Sequence, residues 1–308
     1  MIFHSPVLLK EVLQYLNPRA NENFVDCTIG SGGHALAILE KNAPNGKLLG
    51  IDWDKDAIER TADRLHQFGS RVILVNDNYA NIKNVVSEKK FKAIRGIVID
   101  LGFSLDQIQA SGRGFTFQRD EPLDMRYSLD NTLTAAKILN SYSETQLIKI
   151  FRDYGEERQA KKIAQKIISA RAEQPILRTF QLVQLLMEFK NPRKRIHPAT
   201  QIFQALRIAV NDELHNVITV LSDLIDVLDV GGRLAVISFH SLEDRIVKQF
   251  FQREIKDCLC PPEAPVCTCG HLAKIKIITK KPVTPSEREI DENFHSRSAK
   301  LRVVEKIL

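Results

Sequence analysis

The chain has 308 residues and a formal net charge of +6. With 44% hydrophobic and 27% charged residues, it can bury a sizeable core, which excludes a disordered or fibrous chain. No apolar run approaches the length of a bilayer span, so no membrane partner is expected and the expected compartment is the cytoplasm.

Residues 1–16 read as an amphipathic helix rather than a leader. The start is not basic, and Lys10 and Glu11 interrupt its apolar positions. Ser5 is the expected N-cap and Pro6 the first helical residue. Residues 23–27 read as a short buried strand, followed by a glycine-rich loop and a helix through Glu40. A second strand over 47–51 ends at Asp52, and residues 56–68 are helical by periodicity. Third and fourth strands fall at 71–75 and 96–101. This alternation predicts a parallel sheet with helices on both faces.

The pattern then changes. Residues 109–122 read as a loop, and 132–209 as mostly helical, with breaks at Gln174-Pro175 and Asn191-Pro192. A helix ending near Asp229, a strand over 233–239 and a helix over 241–254 capped by Ser241 restore the α/β pattern. Residues 274–279 and 299–304 read as closing strands. The expectation is an α/β core over 1–109 and 207–308, interrupted by a helical substrate domain at 110–206. Residues 147–210 hold 13 Lys or Arg against 5 Asp or Glu. That charge suits a surface facing nucleic acid, with a solvated helical face as the plainer reading.

Gly30-Ser31-Gly32-Gly33-His34-Ala35 matches G-x-G-x-x-G/A between a strand and a helix. Glycines there let the backbone turn tightly and approach a ligand. Asp52, 22 residues after Gly30, ends the next strand, where a carboxylate can accept hydrogen bonds from two ribose hydroxyls. Those features fit adenosine cofactors in general. Asp26, in the spacing D-x-x-x-G-x-G, shifts the expectation toward S-adenosylmethionine, whose lack of phosphate removes the need for a phosphate cradle.

Asp100 and Phe103 close the fourth strand with the acid and aromatic spacing of enzymes that methylate exocyclic amines, although the usual prolines are absent. The amine of cytosine is a poor nucleophile because its lone pair is delocalised into the ring. A hydrogen-bond acceptor such as Asp100 helps it become tetrahedral, and an aromatic such as Phe103 can stack on an extruded base. Gln107 follows close enough to line the same crevice. Tyr79 suits either the adenine or the core.

These residues belong to a longer set. The set includes His4-Ser5-Pro6-Val7-Leu8-Leu9, Asp100-Leu101-Gly102, Arg113-Gly114-Phe115-Thr116-Phe117, Pro122-Leu123-Asp124-Met125-Arg126 and Tyr154-Gly155-Glu156-Glu157. It continues with His197-Pro198-Ala199-Thr200, Gln204-Ala205-Leu206-Arg207-Ile208, Ile237-Ser238-Phe239-His240-Ser241-Leu242-Glu243-Asp244-Arg245 and Ser298-Ala299-Lys300-Leu301-Arg302. Over nearly its whole length the chain resembles the bacterial small-subunit ribosomal RNA (cytosine-N4)-methyltransferases, the MraW family.

The resemblance implies a Rossmann-like class I S-adenosylmethionine-dependent methyltransferase sheet with an inserted all-helical domain. It implies N4-methylation of a cytidine in the decoding region of 16S ribosomal RNA, with the small ribosomal subunit as partner. It places cofactor contacts at Gly32, Gly33, His34, Asp52, Tyr79, Asp100 and Gln107. Leu105 stands where the family commonly has Ser, and Tyr79 where it often has Phe. A homodimer is left open. The rival readings are a nicotinamide-dependent oxidoreductase and a non-catalytic RNA-binding assembly factor.

Four other features need assignment. His240 and Ser241 do not form a hydrolase pair, because adjacent residues cannot easily build a triad and no G-x-S-x-G elbow is present. Asp124 and Arg126 face RNA or form a structural pair. Arg193-Lys194-Arg195 with His197 is the densest basic run. Cys258, Cys260, Cys267 and Cys269 form C-x-C…C-x-C. Zinc is one reading of it. The spacing is tighter than C-x2-C and the resemblance brings no metal, so reduced thiols and no metal are the default expectation.

Overall fold

The computed structural model describes residues 6–102, 111–189, 197–261, 263–264 and 266–308. They form two compact units, one of residues 1–102 and 215–308, the other of residues 103–214. The expected boundaries at 109/110 and 206/207 thus differ from the observed ones. The chain crosses back into the core unit inside a helix, where composition leaves no mark.

The core unit holds strands β1 (Asn23–Asp26), β2 (Leu48–Asp52), β3 (Val72–Asn76), β4 (Ile94–Asp100), β5 (Arg233–Ser238), β6 (Ile275–Ile277) and β7 (Lys300–Lys306). They make one sheet in the order β3-β2-β1-β4-β5-β7-β6. The first five strands are parallel, and β7 runs antiparallel to both β5 and β6. A dinucleotide-binding sheet runs 3-2-1-4-5-6. The reversed strand between β5 and β6 is what sets this sheet apart as the class I methyltransferase arrangement.

Strand residues alternate between two apolar layers. Val25, Leu49, Ile97 and Ile99 face one cluster, with helices α4 (Ile82–Glu88), α10 (Glu213–Val227) and α11 (Ser241–Glu254) supplying its other wall. Phe24, Leu48 and Val98 face the other, covered by α1 (Leu9–Leu16) and α2 (Gly33–Lys41). Burial on both faces explains why the strands read as continuous apolar runs. Helix α3 (Lys55–Leu65) follows β2 and ends short of the expected residue 68, where a 3-10 turn, His66–Arg71, carries the chain into β3.

Helix α1 begins three residues later than expected. Leu8, with φ 53°, is its N-cap, and Pro6 lies before the helix, packed on Gly33. The expected cap, Ser5, lies outside the described residues. Helix α11 starts where expected, but His240 rather than Ser241 is its N-cap. The backbone N–H of Glu243 bonds the His240 side chain, and the Glu243 carboxylate returns to the His240 backbone. The box uses a histidine where hydroxyl and acid residues are usual, so the sequence rule passed over it.

The inserted unit holds α5 (Ala135–Ser141), α6 (Glu144–Asp153), α7 (Ala160–Glu173), α8 (Thr179–Met187) and α9 (Ala199–Asn211). Ser143 opens α6 with a capping box, and α7 ends just before the expected break at Gln174-Pro175. The break at Asn191-Pro192 lies outside the described residues. Its core gathers Leu139, Phe151, Ile167, Leu182, Phe203 and Leu206. No described helix is long and apolar enough to cross a membrane.

Candidate functional site

The loop leaving β1 is stitched down on both sides. Cys27 N–H donates to Val98 O of β4 (2.9 Å) and Ile29 N–H to Ile51 O of β2 (2.9 Å). Thr61 Oγ1 of α3 donates to Gly30 O (2.6 Å), and Arg64 donates to Ser31 O (2.7 Å). Gly32 sits at φ 75°, and a Cβ there would lie 2.9 Å from Thr61 Cγ2. A Cβ on Gly33 would lie 2.9 Å from Pro6. The glycines thus let α2 begin against α3 and the N-terminal segment. As at any helix start, the first N–H groups of α2 lack intrahelical acceptors and point out of its N-terminus.

His34 turns away from that opening. Its ring is buried with Nε2 3.0 Å from Val7 O. Burial lowers its pKa to about 4, against the smaller opposing pull of that bond. The neutral ring ties down Val7.

Four acids converge on the carboxyl ends of the strands. Asp52 ends β2, accepting from Gly30 N–H through Oδ2 (2.8 Å) and from Asp54 N–H through Oδ1 (2.9 Å). Each oxygen keeps a second lone pair. Burial raises its pKa to about 6, with the two amides pulling the other way. Asp26 ends β1, 2% exposed. Burial and, less strongly, the charge of Asp52 lift it to about 7, while Thr28 N–H (3.2 Å) resists.

Asp100 ends β4, anchored by its N–H to Thr28 Oγ1 (2.7 Å). Its Oδ1 is buried with no hydrogen-bond partner among the described residues. Burial, then the charges of Asp26 and Glu243, raise its pKa well above the ordinary carboxylate range. Glu243, 1% exposed in the first turn of α11, accepts from Phe239 N–H (2.9 Å) and His240 N–H (3.3 Å). His240 Nε2 lies 2.9 Å from Glu243 Oε1, so His240 belongs to this edge of the crevice.

The crevice is therefore acidic, with Asp26 and Glu243 buried and Asp52 and Asp100 half-buried. Ionising these carboxylates together is unfavourable without a cation nearby. S-adenosylmethionine carries two positive groups, a sulfonium and an ammonium, and an adenosine ribose that suits Asp52. The residues present fit it.

Tyr79 follows β3 in a short turn capped by Asn78 and is half-buried against the apolar layer. Phe103 and Gln107, the other expected site residues, lie outside the described residues. Sequence reasoning did not list Thr28 or Glu243. Thr28 carries no pattern signal, because its role is to join the ends of β1 and β4. Glu243 was visible as the acid three residues after His240.

In the inserted unit Asp124, Arg126 and His197 each bond or stack within the unit. Arg126 bonds Asp124 through both Nε (2.8 Å) and Nη2 (2.7 Å), and its Nη1 donates to Leu129 O and Asn131 O. Burial works to raise the Asp124 pKa, but these bonds hold it below the usual value. His197 stacks on Phe117 at 4.7 Å and accepts from Ala199 N–H at the start of α9. Arg193, Lys194 and Arg195 lie outside the described residues. Not anticipated is the buried pair Arg207–Glu213 (2.8 Å), which Tyr127 joins through its hydroxyl at 3.1 Å.

Comparison with known proteins adds the missing class. A family model described as the MraW methylase family matches residues 1–307. This chain belongs to the MraW methylase family. "Ribosomal RNA small subunit methyltransferase H" of Heliobacterium mobile is 49% identical over 99% of both chains. The protein of that name from Heliobacterium modesticaldum is 49% identical over the full length of both. Another from Dehalococcoides mccartyi is 48% identical, covering 99% of this chain and 87% of its own length. A solved rRNA methylase from Streptococcus thermophilus aligns over 100% of this chain and 99% of its own, at 12% identity and a TM-score of 0.44, too distant to add to the case.

Membership explains why distant motifs meet in the methylase core. The motif 237–245 supplies Asp244, and the motif 298–302 supplies Lys300 and Arg302. Arg302 Nε lies 2.7 Å and Lys300 Nζ 3.2 Å from Asp244, which locks β7 to α11. A methylase family and a sheet with a reversed β7 both speak against the oxidoreductase reading.

Proposed function

We propose that this protein transfers the methyl group of S-adenosylmethionine to the exocyclic N4 amine of a cytidine in the decoding region of small-subunit (16S) ribosomal RNA. The observation that carries this reading is Asp100. A buried carboxylate oxygen without a partner, at the carboxyl end of β4, is an acceptor held ready for an N–H donor.

Asp52 would hold the ribose hydroxyls, Tyr79 would pack on the adenine, and the amides of Gly32, Gly33 and His34 would bind the methionine end. Gln107 would line the same crevice. When bound, the cofactor supplies a methyl group activated by a sulfonium. Glu243, and Asp26 once a nearby cation favours its ionised form, add negative potential that holds that cation. Asp100 would accept a hydrogen bond from the amine and then the proton it sheds, leaving the nitrogen lone pair free to attack. Phe103 would stack on the extruded base. Alignment and fixed dipoles account for most of the remaining rate. Exposed Arg152, Arg158, Lys161 and Lys162 on and beside α6 and α7 supply phosphate contacts that position RNA without reading its sequence.

Ribosomal RNA in the names of close relatives supports the acceptor class, and such an acceptor supports a cytoplasmic location. The test is transfer of labelled methyl into unmodified small subunits and into naked ribosomal RNA, followed by nucleoside digestion and mass spectrometry. N4-methylcytidine in either sample supports the proposal. Cofactor binding without transfer to either would remove the ribosomal acceptor.

A further inference from the structure

Between α11 and β6 the chain leaves the sheet and comes back. Lys274 N–H donates to Glu254 O at 2.9 Å, closing the base of an excursion over residues 255–273. Val266 is 71% and Leu272 58% exposed, so this segment has little apolar contact to hold it. Yet its four cysteines converge. Cys258 Sγ lies 3.4 Å from Cys267 Sγ and 3.7 Å from Cys269 Sγ, and the last two are 3.6 Å apart. With Cys260 included, all four sulfurs fall within 4.8 Å of one another.

We propose that Cys258, Cys260, Cys267 and Cys269 bind one structural zinc ion as four thiolates. Disulfides would draw the sulfurs into two pairs at about 2.05 Å. Here three sulfurs form a nearly equilateral triangle, and no partner is singled out. Thiolates on zinc sit at about 2.3 Å from the metal, which sets the sulfur–sulfur edge of a tetrahedron at about 3.8 Å. The three spacings among Cys258, Cys267 and Cys269 match that edge within a few tenths of an ångström, and the Cys260 sulfur lies within 4.8 Å of each of them.

The backbone supports the same reading. Leu259, between the first two cysteines, donates its N–H to Cys269 Sγ (3.3 Å). Thr268, between the last two, donates to Cys260 Sγ (3.4 Å). Cys260 N–H donates to Cys258 Sγ (3.4 Å). Each C-x-C turn thus offers amides to the sulfurs of the other, which spreads thiolate charge around a cation.

Four protein ligands leave no open position, so the ion is structural. Soft thiolates favour zinc over hard cations. A segment with so little core of its own gains its folding energy from the metal. The cluster follows the C-terminus of α11, about 20 Å along the helix from His240 and Glu243, so the ion holds the sheet edge and takes no part in methyl transfer.

The experiment uses the full chain without a metal-binding tag, expressed with zinc and then desalted. Elemental mass spectrometry is expected to find about one zinc per chain. A mercurial should release it in step with four thiols, leaving buried Cys27 unreacted. Cobalt substitution should produce the sulfur-to-metal charge-transfer and strong visible bands of a tetrahedral tetrathiolate. Cys258→Ser and Cys269→Ser should each lower zinc retention by roughly tenfold or more. If those variants fail to fold, alkylation of the parent protein still decides, with the four thiols protected until a chelator is added. Metal-free protein with freely reactive thiols, a disulfide among the four, or stoichiometric iron in place of zinc would each overturn the proposal.

Discussion

The core unit and the inserted unit both bury acids, and they treat them in opposite ways. In the inserted unit Asp124 is forked by Arg126 and Glu213 by Arg207. In the core crevice Asp26, Asp52 and Asp100 meet each other and backbone amides, and their pKa values rise. An arginine that pairs with an acid fixes a scaffold. An acid left without one keeps its affinity for a cation or an N–H donor from outside. That difference locates the site more sharply than a count of charged residues could, because charged residues make up nearly the same fraction of both units.

The largest effect is expected where the pairing is complete. Arg207→Ala leaves Glu213 buried without its guanidinium, the Tyr127 hydroxyl still donating to it, and should cost about 3–5 kcal/mol in urea unfolding. Replacing both charges with apolar residues of similar size should restore most of it, since a buried pair contributes little beyond its own desolvation. A single variant that lost almost nothing would break the comparison at its stronger end.

Asp100→Ala is expected to do the reverse. Thermal stability should hold or rise, because a buried carboxyl without a partner for Oδ1 is gone. Turnover should fall by roughly 10²–10⁴-fold, the range for a positioned proton acceptor. Binding of the cofactor, measured separately by calorimetry, shows whether the loss lies in binding or in chemistry. Full turnover would take Asp100 out of the mechanism.

The two regions should also titrate in opposite directions. Asp26 is neutral in the folded protein up to about pH 7, against an ordinary value of 3.8. Its contribution to stability is therefore complete below the unfolded value and is lost as pH rises through about 7. Asp52 behaves alike up to about 6. For Asp124 the folded pKa is depressed, so its contribution is present above 3.8 and lost as pH falls through the lower folded value. Each pKa unit is worth roughly 1.4 kcal/mol. Cofactor-free protein should lose stability between pH 4 and pH 7, and Asp26→Asn should flatten that slope without altering acid unfolding. A slope unchanged by Asp26→Asn would remove this acid from the account.

Much of this arrangement was legible in the sequence. The parallel strands announce themselves as apolar runs between glycine-rich turns, and Gly30 through His34 with Asp52 mark the crevice. The local reading failed where a partner distant in sequence decides. Nothing local shows that the His34 ring is buried and bonded to Val7 O, 27 residues away. Thr28 reads as filler until its hydroxyl is seen to accept from Asp100, 72 residues away. Helix α1 begins at Leu9 because Pro6 and Val7 are held by Gly33 and His34, a constraint no N-cap rule contains.

The smallest effect tests the loop itself. Gly30 and Gly32 both sit at positive φ, 48° and 75°, so alanine at either should cost about 1–2 kcal/mol from backbone strain. They differ in surroundings. A Cβ on Gly30 would meet nothing closer than Thr28 O at 3.8 Å, whereas one on Gly32 would press Thr61 Cγ2 at 2.9 Å. Gly32→Ala should therefore be the worse of the two in urea unfolding. Thr61→Ser removes the pressed methyl while keeping the hydroxyl that donates to Gly30 O. That change should recover part of the Gly32→Ala loss and none of the Gly30→Ala loss. Equal costs at both glycines, unmoved by Thr61→Ser, would mean that φ alone requires them and that packing of α3 beneath the loop does not.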